Sequence, residues 1–324
     1  MRYIGMVGLL LLFPSFVFAQ IEGNVVSYFA NKKFDSKTIS TFLKATEKGN
    51  QKVVNAYLTQ DSSIANVSDN KGNTALMYAA KAGNVSLMKV LTNNGAKVNT
   101  TNDEGNSTLC IVLQNQGHYK NVLSAVNLLL NLNAHPNTAC SGTLSYGAVR
   151  VKNYTPLHYA VKTLQPSLVD ALIKHGADVN AKAYNNKEVV SPLDMIFYAN
   201  GESANALFAK VTLSLVNAGA KSKQYSNDQE LLMACTHASG HYDAVLDVLL
   251  TNKAISNNIN SYKLYYGNPL TDAVCYHATL PNIKVLVKHG AKVSAKAEVK
   301  QMLQCASRYK DDSVSNYLNQ LGYK

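Results

Sequence analysis

Arginine is nearly missing from this 324-residue chain: only Arg2, Arg150 and Arg308 stand among 31 lysines and arginines. Specific phosphate and base recognition leans on the planar guanidinium fork. A net charge of +11 therefore does not by itself point to nucleic acid. The lysines are scattered, with Lys32-Lys33 the only adjacent pair, and the richness in Lys, Asn, Tyr and Ile resembles the product of an AT-rich genome. The basicity reads as compositional. Motifs of catalysis are missing too. There is no G-x-x-x-x-G-K-[ST], no G-x-S-x-G, no H-E-x-x-H and no calcium-binding loop. No C-x-x-C pair occurs, which removes zinc-ribbon and thioredoxin-like readings. Beyond the first residues no apolar run approaches membrane-spanning length.

The one long apolar run lies at the start. Arg2 is a positive n-region, and residues 4–13 are an apolar core broken by Pro14-Ser15, too short to span a bilayer. Val17-Phe18-Ala19 places small residues where a signal peptidase inspects them. The expectation is an export signal over 1–19, cut before Gln20, leaving 305 residues of charge +10 in the periplasm or secreted. No Cys follows the cut to take a lipid, so the mature chain is expected to be soluble and without stable membrane insertion.

What the chain has in quantity is repetition. Residues 153–183, NYTPLHYAVKTLQPSLVDALIKHGADVNAKA, hold a turn, a short helix, a longer helix and a closing motif. Aligned on the Leu of the turn-to-helix step, copies fall at Leu43, Leu76, Leu109, Leu157, Leu193, Leu232, Leu270 and Leu303. The spacings are 33, 33, 48, 36, 39, 38 and 33. Thr155-Pro156-Leu157-His158 and Gly176-Ala177-Asp178-Val179-Asn180 resemble the two signatures of the ankyrin-repeat family, whose period is about 33 residues. Asn73-Thr74-Ala75-Leu76 with Gly95-Ala96 and Asn268-Pro269-Leu270 with Gly290-Ala291 resemble them as well.

The resemblance covers nearly all of the mature chain and implies an all-α solenoid of about eight helix-turn-helix units joined by hairpin-like loops. After a lead-in at 20–39, the solenoid fills 40–324, with units near 40–69, 70–102, 103–152, 153–186, 187–227, 228–265, 266–298 and 299–324. Thr74 is placed to cap its helix, and Gly83 and Gly95 to end theirs. The second helix of the third unit is expected to be about one turn longer, with Val122, Val126, Leu129 and Leu130 buried. An insertion at 139–152 follows it. The second helix of the fifth unit is expected to be extended, running from Gly201 to Gly219. A single helix pair cannot bury its apolar face, so stacking is obligatory, and a concave side of turns and inner helices is the expected binding surface.

The five cysteines, Cys110, Cys140, Cys235, Cys275 and Cys305, allow at most two bridges and leave one thiol over. Most fall on inner helices, where burial as small residues is the expected role. A bridge among Cys235, Cys275 and Cys305 needs Cα atoms within about 7 Å, and they sit at different offsets along their helices. His158 resembles the family's hydrogen-bonding residue between turns, so catalysis is not expected of it. His237 and His241 have the spacing of two metal ligands on one helix face, but Gly240 intervenes and no third ligand is near. His175 and His289 suit helix C-termini. No cofactor and no metal are expected.

The tyrosines carry the functional signal. Tyr146, Tyr154, Tyr184, Tyr225, Tyr262, Tyr265 and Tyr266 fall at or beside the turns. Tyr198, Tyr276 and Tyr309 fall late in inner helices, at positions resembling the family's variable, outward-facing ones. Tyr offers large, rigid contact area with a polar tip. With Arg150 and His237 these residues, Tyr154 apart, form the expected partner-binding set, concentrated toward the C-terminal half. The expected activity is non-enzymatic recognition of a protein partner outside the cytoplasm by a chain that is monomeric alone, of an exported bacterial type. The alternatives are an inhibitor or immunity protein for one enzyme or toxin, or a secreted effector binding host proteins. An enzyme would need converging polar groups in the insertion, where Arg150 and Cys140 alone are too little.

Overall fold

The computed structural model describes residues 15–115, 121–146, 149–186, 188–197, 205–221, 235, 242–309 and 312–324. They form short helices arranged in pairs, with turns between the pairs, which is the ankyrin-repeat fold. Two compact units are present. The first holds the described residues up to 144 with 152–160 and 170–178; the second holds 145–151, 161–169 and the described residues from 179 onward.

In the first unit, α1 (Ser15–Lys33) precedes the pairs α2 (Ser36–Glu47) and α3 (Gln51–Gln60), α4 (Ala75–Lys81) and α5 (Val85–Asn93), and α6 (Thr108–Gln114) and α7 (Val122–Asn131). The inner helices α2, α4 and α6 pack in a row, and α5 packs on α7. A seven-residue helix such as α4 is unstable alone, because nucleation costs more than so few bonds return. Capping and packing hold it. The Thr74 hydroxyl accepts from the Met77 amide at 3.3 Å. Gly83 at φ +71° ends the turn, and Asn84 then caps α5 by accepting from the Leu87 amide at 2.9 Å. Leu76, Ala79 and Ala80 of α4 and Leu87, Met88 and Leu91 of α5 are wholly buried between the rows.

In five repeats a closing Asn clamps the following repeat. The Asn66 amide group donates to the Gly95 carbonyl at 3.0 Å and its oxygen accepts from the Lys97 amide at 2.9 Å. Asn99 does the same to Asn133 and His135, both at 2.9 Å. Asn137 does so to Gly176 at 2.9 Å and Asp178 at 2.7 Å. In the second unit Asn180 grips Gly219 and Lys221 at 3.1 and 2.7 Å, and Asn260 grips Gly290 and Lys292, both at 2.8 Å. One side chain thereby satisfies a carbonyl and an amide that the helix end leaves without intrahelical partners.

The helices α8 (Pro156–Lys162) and α9 (Pro166–Lys174) are the pair within residues 153–183. Two hairpins flank them, β1 (Leu144–Tyr146) with β2 (Val149–Val151) and β3 (Ala183–Asn185) with β4 (Glu188–Val190). The latter pair is antiparallel with Tyr184 opposite Val189. The second unit continues with α10 (Asp194–Phe197), α11 (Asn205–Asn217), α12 (Asp243–Thr251) and α13 (Lys253–Ser256). It ends with α14 (Pro269–Cys275), α15 (Leu280–Lys288), α16 (Lys296–Arg308) and α17 (Asp312–Gln320). Here α11, α12 and α15 pack in sequence, and α14 packs on α16. Among the described residues, no helix is long and apolar enough to cross a membrane.

Helix α1 fills most of the lead-in at 20–39. Its polar edge docks on the turns: Asn24 accepts from the Thr101 amide at 3.2 Å, and Asn31 exchanges bonds with Ser68 at 2.9 and 3.1 Å. In the first pair the fully buried Phe42 takes the place of Leu76, seven residues before its Gly as Leu76 is before Gly83, with Leu43 one step on. In the last pair Met302 is fully buried and Leu303 is not. Both end registers are therefore shifted by one residue. Helix α7 has 10 residues against 9 in α5, one residue longer where a full turn was expected. The added length went into the insertion instead. In the fifth repeat α11 has 13 residues, while Gly201 lies outside the described residues. Residues 222–241, Leu232 among them, lie outside them also, apart from the buried Cys235.

The cysteines are all buried, yet four are paired. Cys110 bridges Cys140 with Cα atoms 5.5 Å apart, and Cys275 bridges Cys305 at 4.9 Å. Cys235 remains a thiol. Cys275 and Cys305 bridge despite their different offsets, because α14 and α16 bring their Cα atoms well inside bridging range. The other bridge fastens the root of the insertion to α6, where the Cys140 amide also donates to the Tyr154 carbonyl at 2.8 Å.

Candidate functional site

The most exposed aromatic group among the described residues of the second unit is built on one tight turn. The Leu264 amide donates to the Gly267 carbonyl at 2.6 Å, closing a turn with Tyr265 and Tyr266 at its tip. Gly267 has φ +138°, and a Cβ there would run into Glu298 Oε1. Only glycine suits both conditions. Glu298, reaching back from α16, accepts from the Asn268 amide at 2.7 Å and the Thr271 hydroxyl at 2.9 Å. Buried Asp272 accepts from the Tyr266 amide at 2.9 Å. Two carboxylates thus fix the backbone on which the tyrosines stand.

Tyr265 is 75% exposed, Tyr276 39% and Tyr309 41%. The Tyr265 and Tyr266 centroids are 4.9 Å apart, and Tyr276 lies 6.2 and 5.1 Å from them, all edge to face. Such T-shaped contacts are the favoured geometry of aromatic pairs. His277 stacks on Tyr309 of the next repeat at 4.5 Å, and the Tyr309 hydroxyl donates to the Cys275 carbonyl at 2.8 Å. The Cys275–Cys305 bridge joins the helices that carry the two halves of this row. Partial desolvation raises the Tyr276 phenol above its ordinary range, with Tyr266 and Asp272 adding. Beside the turn lies a cleft of about 650 Å³ lined by Tyr262, Tyr265, Tyr266, Lys263, Lys292 and Glu298, among others.

Of the expected set, the structure brings together Tyr262, Tyr265, Tyr266, Tyr276 and Tyr309. Tyr184 is exposed on β3 and Arg150 on β2, each on a hairpin apart from the turn at 264–267. Tyr154 is buried, taking a bond from the Gln114 amide group at 2.9 Å, so it serves the insertion's root. Tyr146 lies in β1, with its side chain outside the described residues. Tyr198, Tyr225, His237 and His241 lie outside them entirely. His158 is buried with its Nδ1 at 3.2 Å from the Thr155 amide, a structural bond between turn and helix. His175 Nδ1 sits 2.9 Å from the Ala171 carbonyl in the last turn of α9, and His289 faces Asp247 at 2.6 Å. Among the described residues, no group of His, Cys, Asp or Glu could hold a metal ion. Sequence reasoning missed Glu298, Gly267 and His277. Only His277 carried a signal, standing where the repeat pattern has the Gly that ends an inner helix.

The comparisons with known proteins agree with this architecture. The model of ankyrin repeats in three copies matches residues 17–102 and 42–140, and the single ankyrin repeat matches 152–184. The chain carries ankyrin repeats. It is 36% identical over 139 residues to the ankyrin repeat, SAM and basic leucine zipper domain-containing protein 1 of Dasypus novemcinctus, covering 43% of this chain and 26% of that one. The same protein of Ovis aries is 34% identical over 129 residues, covering 40% and 25%. The chain thus spans about a quarter of the length of these curated relatives. They are animal proteins, and none carries the expected bacterial placement. Among solved structures, the ankyrin repeat domain of human ASB11 aligns with a TM-score of 0.46 at 17% identity, covering 78% of this chain and 99% of that one.

Proposed function

We propose that this protein is a non-enzymatic recognition module that holds a protein partner outside the cytoplasm on the tyrosine row of its last repeats. The observation that carries the proposal is the joining of Tyr265, Tyr266 and Tyr276 into one exposed cluster on a turn braced by Glu298 and Asp272. Rings held rigid before binding lose little conformational entropy on contact, and a few such anchors dominate the energy of protein interfaces. Ankyrin repeats serve as protein-interaction modules, which supports the same reading. The compartment rests on the export pattern at 1–19 and on the two disulfides, since such bridges persist mainly in oxidising environments.

The test is capture of partners on tagged, oxidised protein, repeated with Tyr265→Ala plus Tyr276→Ala. Loss of the captured protein, with an unchanged unfolding transition, is the expected result. Undiminished capture by the double variant rules the row out.

A further inference from the structure

We infer that the partner segment which the cleft beside the tyrosine row accepts is acidic, an extended stretch of protein carrying carboxylates next to an apolar residue. The inference rests on the preceding proposal that the row is a protein-binding surface, and it specifies the chemistry of what binds. Three observations converge on it. First, the cleft's charged side chains are Lys263, Lys292 and Glu298. The single acid is turned inward: Glu298 Oε1 accepts from the Asn268 amide and the Thr271 hydroxyl. The nearby acid Asp272 is buried and accepts from the Tyr266 amide. These two carboxylates keep their charge but are turned into the hydrogen bonds of the turn, while both lysines are exposed, so the charges that a ligand meets first at the rim are cationic.

Second, the cleft adjoins ring surface. Tyr265 stands at its edge with three-quarters of its area open and Tyr276 behind it, which suits an apolar side chain or a proline ring laid against aromatic faces. Third, the volume of about 650 Å³ falls in the range that holds a few residues of extended chain and leaves no room for a folded domain. Lysine ammonium groups act as point charges on flexible stems. Such cations accelerate and orient the approach of an acidic segment more than they tighten it, so the binding should weaken with salt.

The experiment selects random displayed peptides of about 12 residues on the folded, oxidised full chain. Selection is repeated on Tyr265→Ala plus Tyr276→Ala and on Lys263→Gln plus Lys292→Gln, each first shown to unfold at the wild-type temperature. The expected result is a set of peptides rich in Asp and Glu with at least one apolar residue. Their affinity should fall about tenfold or more in the tyrosine variant, and severalfold, about three or more, both in the lysine variant and between about 50 and 300 mM salt. Peptides that need the tyrosines but are neutral or basic overturn the acidic assignment and leave the recognition row standing. An absence of tyrosine-dependent peptides overturns both. Tighter binding of a single-stranded oligonucleotide than of any selected peptide, lost in the lysine variant, replaces the protein ligand with a nucleic acid.

Discussion

His277 occupies a backbone position made for glycine. Its φ is +58°, matching Gly83 at +71° in the equivalent place on α4, and the left-handed region costs a side-chain-bearing residue about 1 kcal/mol. What the position gains is a ring stacked on Tyr309. Strain held beside a binding surface is a recurring mark of function. His277→Gly should therefore leave stability unchanged or raise it by up to about 1 kcal/mol in urea unfolding, while weakening capture of the partner. A variant that loses stability and keeps full binding contradicts this account. Gly267 makes the opposite case. Gly267→Ala drives a methyl into Glu298 Oε1 and should cost about 1–3 kcal/mol, with the Tyr265 and Tyr266 tip displaced. Asp61 tests charge at the other end of the chain. The Lys33 hydrogen bond, helped by the Ser63 hydroxyl and amide, holds its carboxylate at about 2. A depressed folded pKa stabilises the fold above the ordinary carboxylate value, and that contribution disappears as pH falls through about 2. Melting temperatures followed from pH of about 5 to about 2 should fall less steeply in Asp61→Asn than in the wild type. Equal slopes in both proteins would show that the α1 contact adds nothing.

At the scale of elements, hydrogen bonds from side chains do the joining between repeats. Asn99→Ala frees the Asn133 carbonyl and the His135 amide together, and should lower stability by about 1–3 kcal/mol. Asn99→Asp, which keeps the acceptor and loses the donor, should recover part of it, as equilibrium unfolding would register. The bond between α14 and α16 is covalent. Cys275→Ser with Cys305→Ser opens a loop of 30 residues in the unfolded chain and should cost about 2–4 kcal/mol. Partner binding should weaken as well, because the bridge ties together the helices bearing Tyr276 and Tyr309. These elements differ in how far the sequence exposed them. Helix pairs, caps and closing glycines are local, and local patterns at helical spacing predicted them wherever Leu76, Leu157 and Leu270 kept their neighbours. At the end repeats the pattern is off by a residue because a cap drops part of the signature, and it points to Leu303 where Met302 is the buried residue. The disulfides and the Glu298 brace depend on which helix faces which, and no spacing along the chain encodes that. The tyrosine cluster was legible in part, since position within a repeat placed Tyr265, Tyr266 and Tyr276 on the turn and on the end of the inner helix.

At the scale of the whole molecule, the cysteines make a claim about compartment that can be checked by counting thiols. Each compact unit holds one bridge, Cys110–Cys140 in the first and Cys275–Cys305 in the second, and Cys235 is the single thiol left over. Burial pushes that thiol above its ordinary range, so it is both covered and protonated. Repeat proteins draw their stability from neighbouring interfaces. A staple within each unit therefore protects against loss of the repeats around it and leaves other regions to open first. Protein recovered from its native compartment should show no thiol reactive toward an aromatic disulfide reagent when folded. It should show one after unfolding without reductant and five after unfolding with it. Five reactive thiols on unfolding without reductant would mean that the chain works reduced. That result would remove the chief physical support for a role outside the cytoplasm, while the tyrosine row, which does not depend on compartment, would still stand on its own test.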